Sequence, residues 1–287
     1  MSFLFFSILS STLILITFRY FEKLKVNNFN AIIINYFVAS LLGFLLSDTS
    51  DGLSLAGTES WFPMAVIIGV IFVAMFYVIA LTTQKTGLTI TSISSRMSVI
   101  IPMIFSIVFY KEALPFVKVI GILLAPTAVV LTIMQKNISL DNKKFFILPV
   151  ILFLGVGLTD SLVKYTQQEF LSESNVLMFS AYLFVIAFST AILTKLLFPG
   201  GKGFDLNGKD LIGGVLLGIF NFCSLYFFIQ ALQFSGIDSS LVFGINSIGV
   251  VLLSIMAGII LFKEKLNTLN WIGIILAIFT LILLYNA

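Results

Sequence analysis

The chain has 287 residues, of which 59% are hydrophobic and 10% are charged, and its formal net charge is +3. Its mean hydropathy is +1.13, whereas soluble domains hold roughly 45–50% apolar and about 25% charged residues. These values exclude a soluble globular protein and make lipid the solvent of the fold. The sequence contains no histidine, which excludes imidazole metal sites, and we expect no metal, cofactor or nucleic acid.

Ten apolar runs follow one another along the chain, separated by short polar turns. Each is long enough to cross a hydrocarbon core of about 30 Å as an α-helix. The predicted spans, numbered one to ten, are 2–18, 30–47, 62–83, 87–109, 114–134, 145–166, 175–197, 210–233, 237–261 and 267–285. The sequence therefore predicts an all-α membrane protein with ten transmembrane helices.

A polar corner occurs twice, with the pattern Lys-Glu-x-Leu, five residues, then Ile-Gly-Ile-x-Leu-Ala. One copy begins at Lys111 and the other at Lys263. Five predicted spans separate the copies, and an odd number of crossings places them on opposite faces of the membrane. The sequence predicts two inverted five-helix repeats, 1–140 and 141–287, around a central cavity, which is a common plan for secondary transporters.

Further matches between the halves extend this internal repeat. Chance similarity is the alternative, because apolar helices draw on few residue types. Against chance, three residues in spans three and four match three residues in span eight and the turn before span nine at one constant offset: Gly69, Tyr77 and Gly87 with Gly218, Tyr226 and Gly236.

Arg96 lies near the middle of span four, among hydroxyl-bearing residues. A charge at that depth costs at least about 2.5–3.5 kcal/mol on insertion scales, so it should face a partner or a watery cavity. Ser92 and Ser95 are its neighbours at helical spacing, and a guanidinium fork suits a carboxylate or a phosphate. We expect these residues to bind an anionic group of a substrate. A structural ion pair between Arg96 and Asp160 is the alternative.

Asp160 and Lys164 lie four residues apart in span six, which places them on one helix face with the acid first, the favourable order. One interpretation is a local salt bridge, with Lys164 extending toward the interface. The other is coupling or gating, in which Asp160 carries a proton or exchanges partners between Arg96 and Lys164. Pro102 follows Arg96 in span four and predicts a kink, which would suit a gate.

Uncharged polar residues also lie inside the predicted spans. Tyr77 in span three, Asn221 in span eight and Asn246 in span nine are candidates for lining a substrate cavity. Interhelical hydrogen bonding is the usual role of such groups in lipid, so both interpretations stay open. Because span nine is related by the repeat to span four, we expect Asn246 to face Arg96 across the cavity.

The ten spans, the two halves and the acidic corners resemble the drug/metabolite transporter superfamily, in its EamA-like branch. The residues that carry the likeness are Gly87, Lys111-Glu112, Gly121, Lys263-Glu264 and Gly273. The resemblance covers nearly the whole chain and implies a ten-helix basket with a central cavity lined mainly by spans one, three, four, six, eight and nine. It also implies alternating access and export or exchange of small metabolites, often amino acids or related compounds. We expect such a protein in the bacterial cytoplasmic membrane.

Loop charges and the family resemblance predict opposite orientations. The loops after the odd-numbered spans contain most of the basic residues: Arg19, Lys23, Lys25, Lys85, Lys136, Lys143, Lys144, Lys195, Lys202, Lys209, Lys263 and Lys265. The other loops contain Lys111 and Lys118. The positive-inside rule therefore places both termini outside the cytoplasm, whereas members of the family usually have both termini inside.

A pair of reporters fused after Ala287 will distinguish these orientations. From the loop charges we expect alkaline phosphatase, which is active outside the cytoplasm, to be active there, and a cytoplasmic fluorescent protein to be dark. Fusions after Lys202, between spans seven and eight, should show the reverse. Cytoplasmic activity of the reporter after Ala287 would contradict the charge-based orientation.

The leading functional hypothesis is a secondary transporter for a small metabolite, carboxylate-bearing or amino-acid-like, energised by protons or by exchange. A passive channel or a structural membrane partner is the alternative, although no repeated filter loops are visible in the sequence. An intramembrane lipid-modifying enzyme is a further alternative, but it usually requires histidines, paired acids or an activated nucleophile, and Asp160 is the only acid deep in a predicted span. The sequence does not identify the substrate or the oligomeric state.

Overall fold

The computed structural model describes residues 2–46, 59–111, 115–134, 145, 147–171, 176–197, 207–234 and 239–285. In this part of the chain the regular structure is helical, and ten helical spans are long and apolar enough to cross a membrane. The prediction of an all-α protein with ten transmembrane spans is therefore confirmed. The helices are α1 Ser2–Leu24, α2 Asn28–Leu46, α3 Phe62–Thr86, α4 Leu88–Met97, α5 Ile100–Tyr110, α6 Phe116–Ile133, α7 Ile147–Phe170, α8 Val176–Leu197, α9 Gly208–Phe234, α10 Ser239–Phe262 and α11 Thr268–Tyr285.

Two helices continue well beyond the predicted apolar runs. Helix α1 extends to Leu24 and α7 extends to Phe170. Hydropathy marks where a chain leaves the hydrocarbon, but backbone hydrogen bonding can continue past that point. Helix α1 ends where Lys25 adopts a left-handed conformation with φ of 55°, a common way for a helix to terminate.

The fourth span is interrupted between Met97 and Ile100, where α4 gives way to α5. The cause is Pro102, which has no N–H to donate to the carbonyl of Ser98. That carbonyl accepts instead from the N–H of Ile101, three residues along, at 2.9 Å. The proline thus breaks the helix one turn ahead of itself, directly after the turn that contains Arg96.

The chain forms two compact units, and each is assembled from both halves of the sequence. The first unit comprises Met1–Arg19, Val78–Ser161 and Cys223–Ala287, and the second comprises Tyr20–Tyr77 and Leu162–Phe222. These units are a different division from the sequence repeats 1–140 and 141–287, so the assignment of those repeats as domains stays a prediction.

In the first unit, the core lies where α4, α6, α10 and α11 pack together. Ile93 and Met97 of α4 are fully buried against Val251 of α10 and Leu281 of α11. Burying an aliphatic side chain of this size contributes roughly 1.5–3 kcal/mol. The packing fixes the position of α4, and with it the backbone that carries Arg96.

Within this unit, α6 and α11 make a reciprocal contact. A Cβ at Gly121, near the start of α6, would overlap the side chain of Leu284 near the end of α11. A Cβ at Gly273, near the start of α11, would lie 2.5 Å from Thr132 Oγ1 near the end of α6. Gly273 lies 152 residues after Gly121, and Leu284 lies 152 residues after Thr132. Two repeat-related helices therefore cross antiparallel with the same pair of contacts made twice, as inverted repeats require.

The second unit has its core between α3 and α8, where Trp61 packs edge-on against Phe179 with 5.7 Å between ring centroids. A buried polar link joins α2 to α9 in the same unit. The carboxylate of Asp210 accepts hydrogen bonds from the backbone N–H of Asn27 and from Nδ2 of Asn30, both at 2.9 Å. Because Asp210 is 4% exposed, these bonds offset the cost of burying its charge.

Glu264 of the second polar corner contacts Gly87 and the start of α4 in the first unit. Oε1 of Glu264 accepts the backbone N–H of Leu88 at 2.5 Å, and Oε2 accepts the Thr89 hydroxyl at 2.8 Å. The carboxylate thus caps the positive N-terminal end of α4. A Cβ at Gly87, whose φ is +99°, or at Gly258 would lie 2.5 Å from a carboxylate oxygen. Glu112, the counterpart of Glu264, and Gly236, the counterpart of Gly87, lie outside the described residues.

Replacing Glu264 with alanine will lower the free energy of unfolding by about 2 kcal/mol, the combined loss of a helix cap and a charge-assisted hydrogen bond. Glu264→Gln should cost about half as much, because the amide oxygen still accepts a hydrogen bond but has no charge. Reversible unfolding in mixed micelles measures both values. Glu169→Ala is the matched control, because Glu169 is exposed at the end of α7. Equal stability of Glu264→Ala and the unmodified chain would contradict the capping role.

Candidate functional site

Arg96 lies in the last turn of α4, in the first unit, and its side chain is half-buried. Among the described residues, its guanidinium makes no hydrogen bond and no ion pair within 4.0 Å. Its electrostatic neighbours are the side chains of Asp160 and Tyr285. Protein surrounds the group, but direct protein partners do not saturate its five N–H donors.

Asp160 of α7 lies deep among protein atoms, and its electrostatic neighbour is Arg96. Its residue surface is nevertheless exposed, so the carboxylate lies among protein atoms without being fully enclosed by them. On the helical wheel, Asp160 lies about 120–180° from the exposed apolar side chains of Ile151 and Leu154 and about 80° from the exposed Val150. The carboxylate therefore points largely away from the exposed apolar face of α7.

Gly157 holds α7 close to α5 one turn before Asp160. A Cβ at this glycine would overlap the side chain of Ile101, including its Cβ at 2.7 Å. Ile101 lies in the first turn of α5, just beyond the break that follows Arg96. This close approach places α7, with Asp160, beside the break in the fourth span that directly follows Arg96 of α4.

Tyr285 was missed by the sequence analysis and is a third member of this cluster. It is the last residue of α11, and it interacts electrostatically with both Arg96 and Asp160. Its hydroxyl lies 3.5 Å from Ser247 Oγ of α10, and a Cβ at Gly244 would lie 2.9 Å from its ring. Tyrosine at the end of a span usually signals an interfacial aromatic belt, so the sequence contained no signal of a tertiary role.

Ser92 and Ser95 lie beside Arg96 on α4, and both use their hydroxyls within the helix. Ser92 is fully buried and donates to the carbonyl of Thr89 at 3.1 Å, and half-buried Ser95 donates to the carbonyl of Ser92 at 3.1 Å. Each oxygen still has an acceptor lone pair. Their participation in substrate binding stays a prediction.

Asn246 of α10 is also in the first unit, and its side chain is 6% exposed. Its Oδ1 accepts a hydrogen bond from Ser7 Oγ of α1 at 3.2 Å, and Ser7 also lies 3.0 Å from the carbonyl of Ser224. This is the interhelical role that polar groups usually have in lipid. The next residue, Ser247, is the one that approaches Tyr285.

The remaining predicted residues, Tyr77, Asn221 and Lys164, belong to the second unit. Tyr77 is 38% exposed and contacts the ring of Phe29 edge-on at 6.3 Å. The carboxamides of Asn221 and Asn35 lie 3.2 Å apart. Lys164 is half-buried on α7. No binding role of these three residues is tested by the structure.

The cluster of Arg96, Asp160 and Tyr285 brings a cation, an anion and a hydroxyl close enough to interact electrostatically. Among the described residues, Asp160 shows no ion pair within 4.0 Å within its own unit, and the local salt bridge that its spacing from Lys164 allows stays a prediction. Across the described ranges, no three His, Cys, Asp or Glu side chains are grouped so that they could hold a metal ion.

Ten helical spans, long and apolar enough to cross a membrane, define a multi-pass integral membrane protein, and one pair of repeat-related helices in it runs antiparallel. Residues 147–286 match the model of the EamA-like transporter family. Over this second half of its sequence, the chain is similar to the EamA-like transporter family, in agreement with the expected resemblance.

Two known proteins are similar to nearly the whole chain. An uncharacterised protein of Haemophilus influenzae is 28% identical over 289 residues, a match that covers 98% of this chain and 97% of that protein. A protein of known crystal structure superimposes with a TM-score of 0.62 at 13% identity, over 98% of this chain and 94% of that chain. At that identity, the second likeness bears on the fold alone.

Proposed function

We propose that the chain is a secondary transporter that moves a small carboxylate-bearing metabolite by alternating access, in a bacterial cytoplasmic membrane. The observation that carries the proposal is Arg96, an ionised group inside a membrane span without a direct partner among the described residues. Its insertion costs at least about 2.5–3.5 kcal/mol. An anionic substrate that pairs with the guanidinium would offset that cost during part of a transport cycle.

The inverted arrangement of α6 and α11 supports alternating access. Carriers with inverted repeats expose a midplane site first to one side and then to the other, by rocking one group of helices against another. The contacts of Gly121 with Leu284 and of Gly273 with Thr132 show that the two related helices run in opposite directions. In the proposal, protons or exchange against a second solute supply the energy.

The interrupted fourth span supports a gating role for Pro102. The turn at Ser98 and Val99 joins α4 to α5 without a continuous ladder of hydrogen bonds, so the two parts can change their mutual angle more easily than an unbroken helix. Movement of α4 would carry Arg96 with it. Asp160 and Lys164 keep their proposed roles in coupling or gating.

Counterflow in liposomes tests this function. Vesicles loaded with an unlabelled carboxylate and diluted into a trace of the labelled compound will show a transient accumulation of label, because a carrier must exchange one bound substrate for another. A passive channel, the alternative function, equilibrates the label without an overshoot. A panel of organic and amino acids, screened by thermal stabilisation of the purified protein, selects the compound. Stabilisation only by neutral or cationic compounds would contradict the anion site.

A further inference from the structure

We propose that one end of the second unit is a binding surface for an anionic phospholipid. Among the described residues, four lysines lie at this end and bind the phosphate of the headgroup: Lys23, Lys25, Lys195 and Lys209. Exposed apolar side chains of α9 contact the acyl chain beneath the phosphate. The surface includes none of the residues of the charged cluster, which belong to the first unit.

Contacts with α9 fix the position of Lys25. Helix α1 ends at this residue, which is exposed and has a φ of 55°. Residues before and after it pack against Gly213 of α9, where a Cβ would lie 2.8 Å from the ring of Phe21 and 3.5 Å from Cγ1 of Val26. Lys25 therefore lies directly beside the first turns of α9.

A second contact places Lys209 at the same junction. The carboxylate of Asp210 accepts a hydrogen bond from the backbone N–H of Asn27 at 2.9 Å, and Asn27 follows Lys25 by two residues. Lys209 is the residue before Asp210, in the first turn of α9, and it is exposed. Because lysine has a long and flexible stem, the ammonium groups of Lys25 and Lys209 can converge on one phosphate.

The last turn of α8 lies at the same end of the second unit. The ring of Phe44 contacts that of Tyr182 with 5.5 Å between centroids, and Phe37 contacts Phe188 at 5.4 Å. Later residues of α2 thus pair with earlier residues of α8, so the two helices run antiparallel. The start of α2 therefore lies beside the end of α8, which contains Lys195.

Exposed apolar side chains lie below Lys209 on the same face of α9. At about 100° per residue, Ile212 and Leu216 fall within about 60° of Lys209 on the helix surface. They are 65% and 44% exposed, respectively. Because they follow Lys209 by about one and two turns, they lie at the depth of the acyl chains when the lysine lies at the depth of the phosphates. One face of α9 thus matches both parts of a phospholipid.

The charge at this end favours an anionic headgroup. Lys23 lies in the last turn of α1 with its ammonium nitrogen 5.5 Å from the ring centroid of Tyr20, and such aromatic and basic residues are typical of a membrane interface. The acids at this end of the described second unit are Glu22 and Asp210. Four lysines against two acids leave a net positive charge. Each lysine near an anionic membrane surface raises affinity about fivefold.

Lipid binding by the full chain in detergent tests this surface. The probes are phosphatidylglycerol, whose headgroup is anionic, and phosphatidylcholine with the same acyl chains, whose headgroup is zwitterionic. Native mass spectrometry gives the affinities, and thermal unfolding gives the stabilisation by each lipid. In the unmodified chain, phosphatidylglycerol should bind about 10-fold or more tightly than phosphatidylcholine. This preference should decrease as the salt concentration rises.

The double variant Lys25→Gln/Lys209→Gln should lose about 30-fold in affinity for phosphatidylglycerol and little for phosphatidylcholine. Lys25→Arg/Lys209→Arg should retain the preference, since it keeps both charges. Lys111→Gln/Lys118→Gln is the control, because it removes the same charge from the end of α5 and the start of α6 in the first unit. Lys111 is also exposed and has a φ of 53°. The control should retain the preference.

Unchanged affinity for phosphatidylglycerol in Lys25→Gln/Lys209→Gln would overturn the proposal, as would equal affinities of the unmodified chain for the two lipids. An equal loss in the control variant would show a general effect of net charge and would also overturn it. If inorganic phosphate displaces phosphatidylglycerol at the same concentration as unlabelled lipid does, the lysines bind free anions and the lipid assignment is wrong.

Discussion

Replacing Arg96 with lysine will weaken binding of a carboxylate ligand about 10- to 100-fold, the range expected for one charge-assisted hydrogen bond. Lysine keeps the positive charge but loses the planar fork that binds both oxygens of a carboxylate. The chain has only one other arginine, Arg19. Its Nη1 donates to the backbone carbonyl of Thr83 at 3.3 Å, at the end of α3.

Arg19→Lys is therefore the matched control, since it is the same chemical change at a position that binds the protein's own backbone. We expect it to leave ligand affinity unchanged and to lower stability slightly. Calorimetry with a carboxylate such as 3-phenylpropionate gives the affinities. Size-exclusion chromatography confirms that each variant is folded. Unaltered carboxylate affinity in Arg96→Lys would contradict bidentate recognition at this site.

Replacing Gly273 with alanine will lower the free energy of unfolding by about 2–3 kcal/mol, the upper part of the range for overpacking. The added methyl group would lie 2.5 Å from Thr132 Oγ1, 2.6 Å from the backbone nitrogen of Thr132 and 3.0 Å from the carbonyl oxygen of Ala128. Two of these atoms belong to the backbone of α6 and cannot move aside without separating the helices.

Gly121→Ala is the control that the repeat itself provides. Its methyl group would meet only the side chain of Leu284, which can adopt another rotamer. The gain in helix propensity from glycine to alanine, up to about 1 kcal/mol, offsets part of that cost. Unfolding of both variants in mixed micelles should show a smaller loss for Gly121→Ala. Equal losses would show that the contact between α6 and α11 is not as tight as the structure indicates.

Much of the fold was predictable because a lipid environment restricts the composition and length of each helix that crosses it. A span must be apolar and about 20 residues long, and polar turns mark its ends, so ten spans could be located from hydropathy. The break at Pro102 was predictable too, since a missing N–H acts through local geometry. The polar ends of α1 and α7 were not predictable, because nothing in hydropathy distinguishes a helix outside the hydrocarbon from a loop.

The candidate site was predictable where placing a single residue inside the membrane has a high free-energy cost. Arg96 and Asp160 were identified because each is a charge inside an apolar run. Their approach to each other could only be raised as an alternative, since it depends on packing between α5 and α7 at Gly157. Tyr285 could not be identified, because its position at the end of α11 is ordinary in sequence. Likewise, Gly87 and Glu264 were both singled out as motif residues, but their mutual contact emerges only from the fold.

The short helix α4 also bears on how long a bound solute would stay. Arg96 lies in its last turn, at the end where the aligned peptide dipoles give a helix a partial negative charge. That partial charge attracts the guanidinium and repels an incoming carboxylate, which costs the ligand about 0.3–1 kcal/mol. The residence time would shorten roughly two- to fivefold. In the proposed transport cycle the substrate must dissociate in every turnover, so weaker binding would be an advantage.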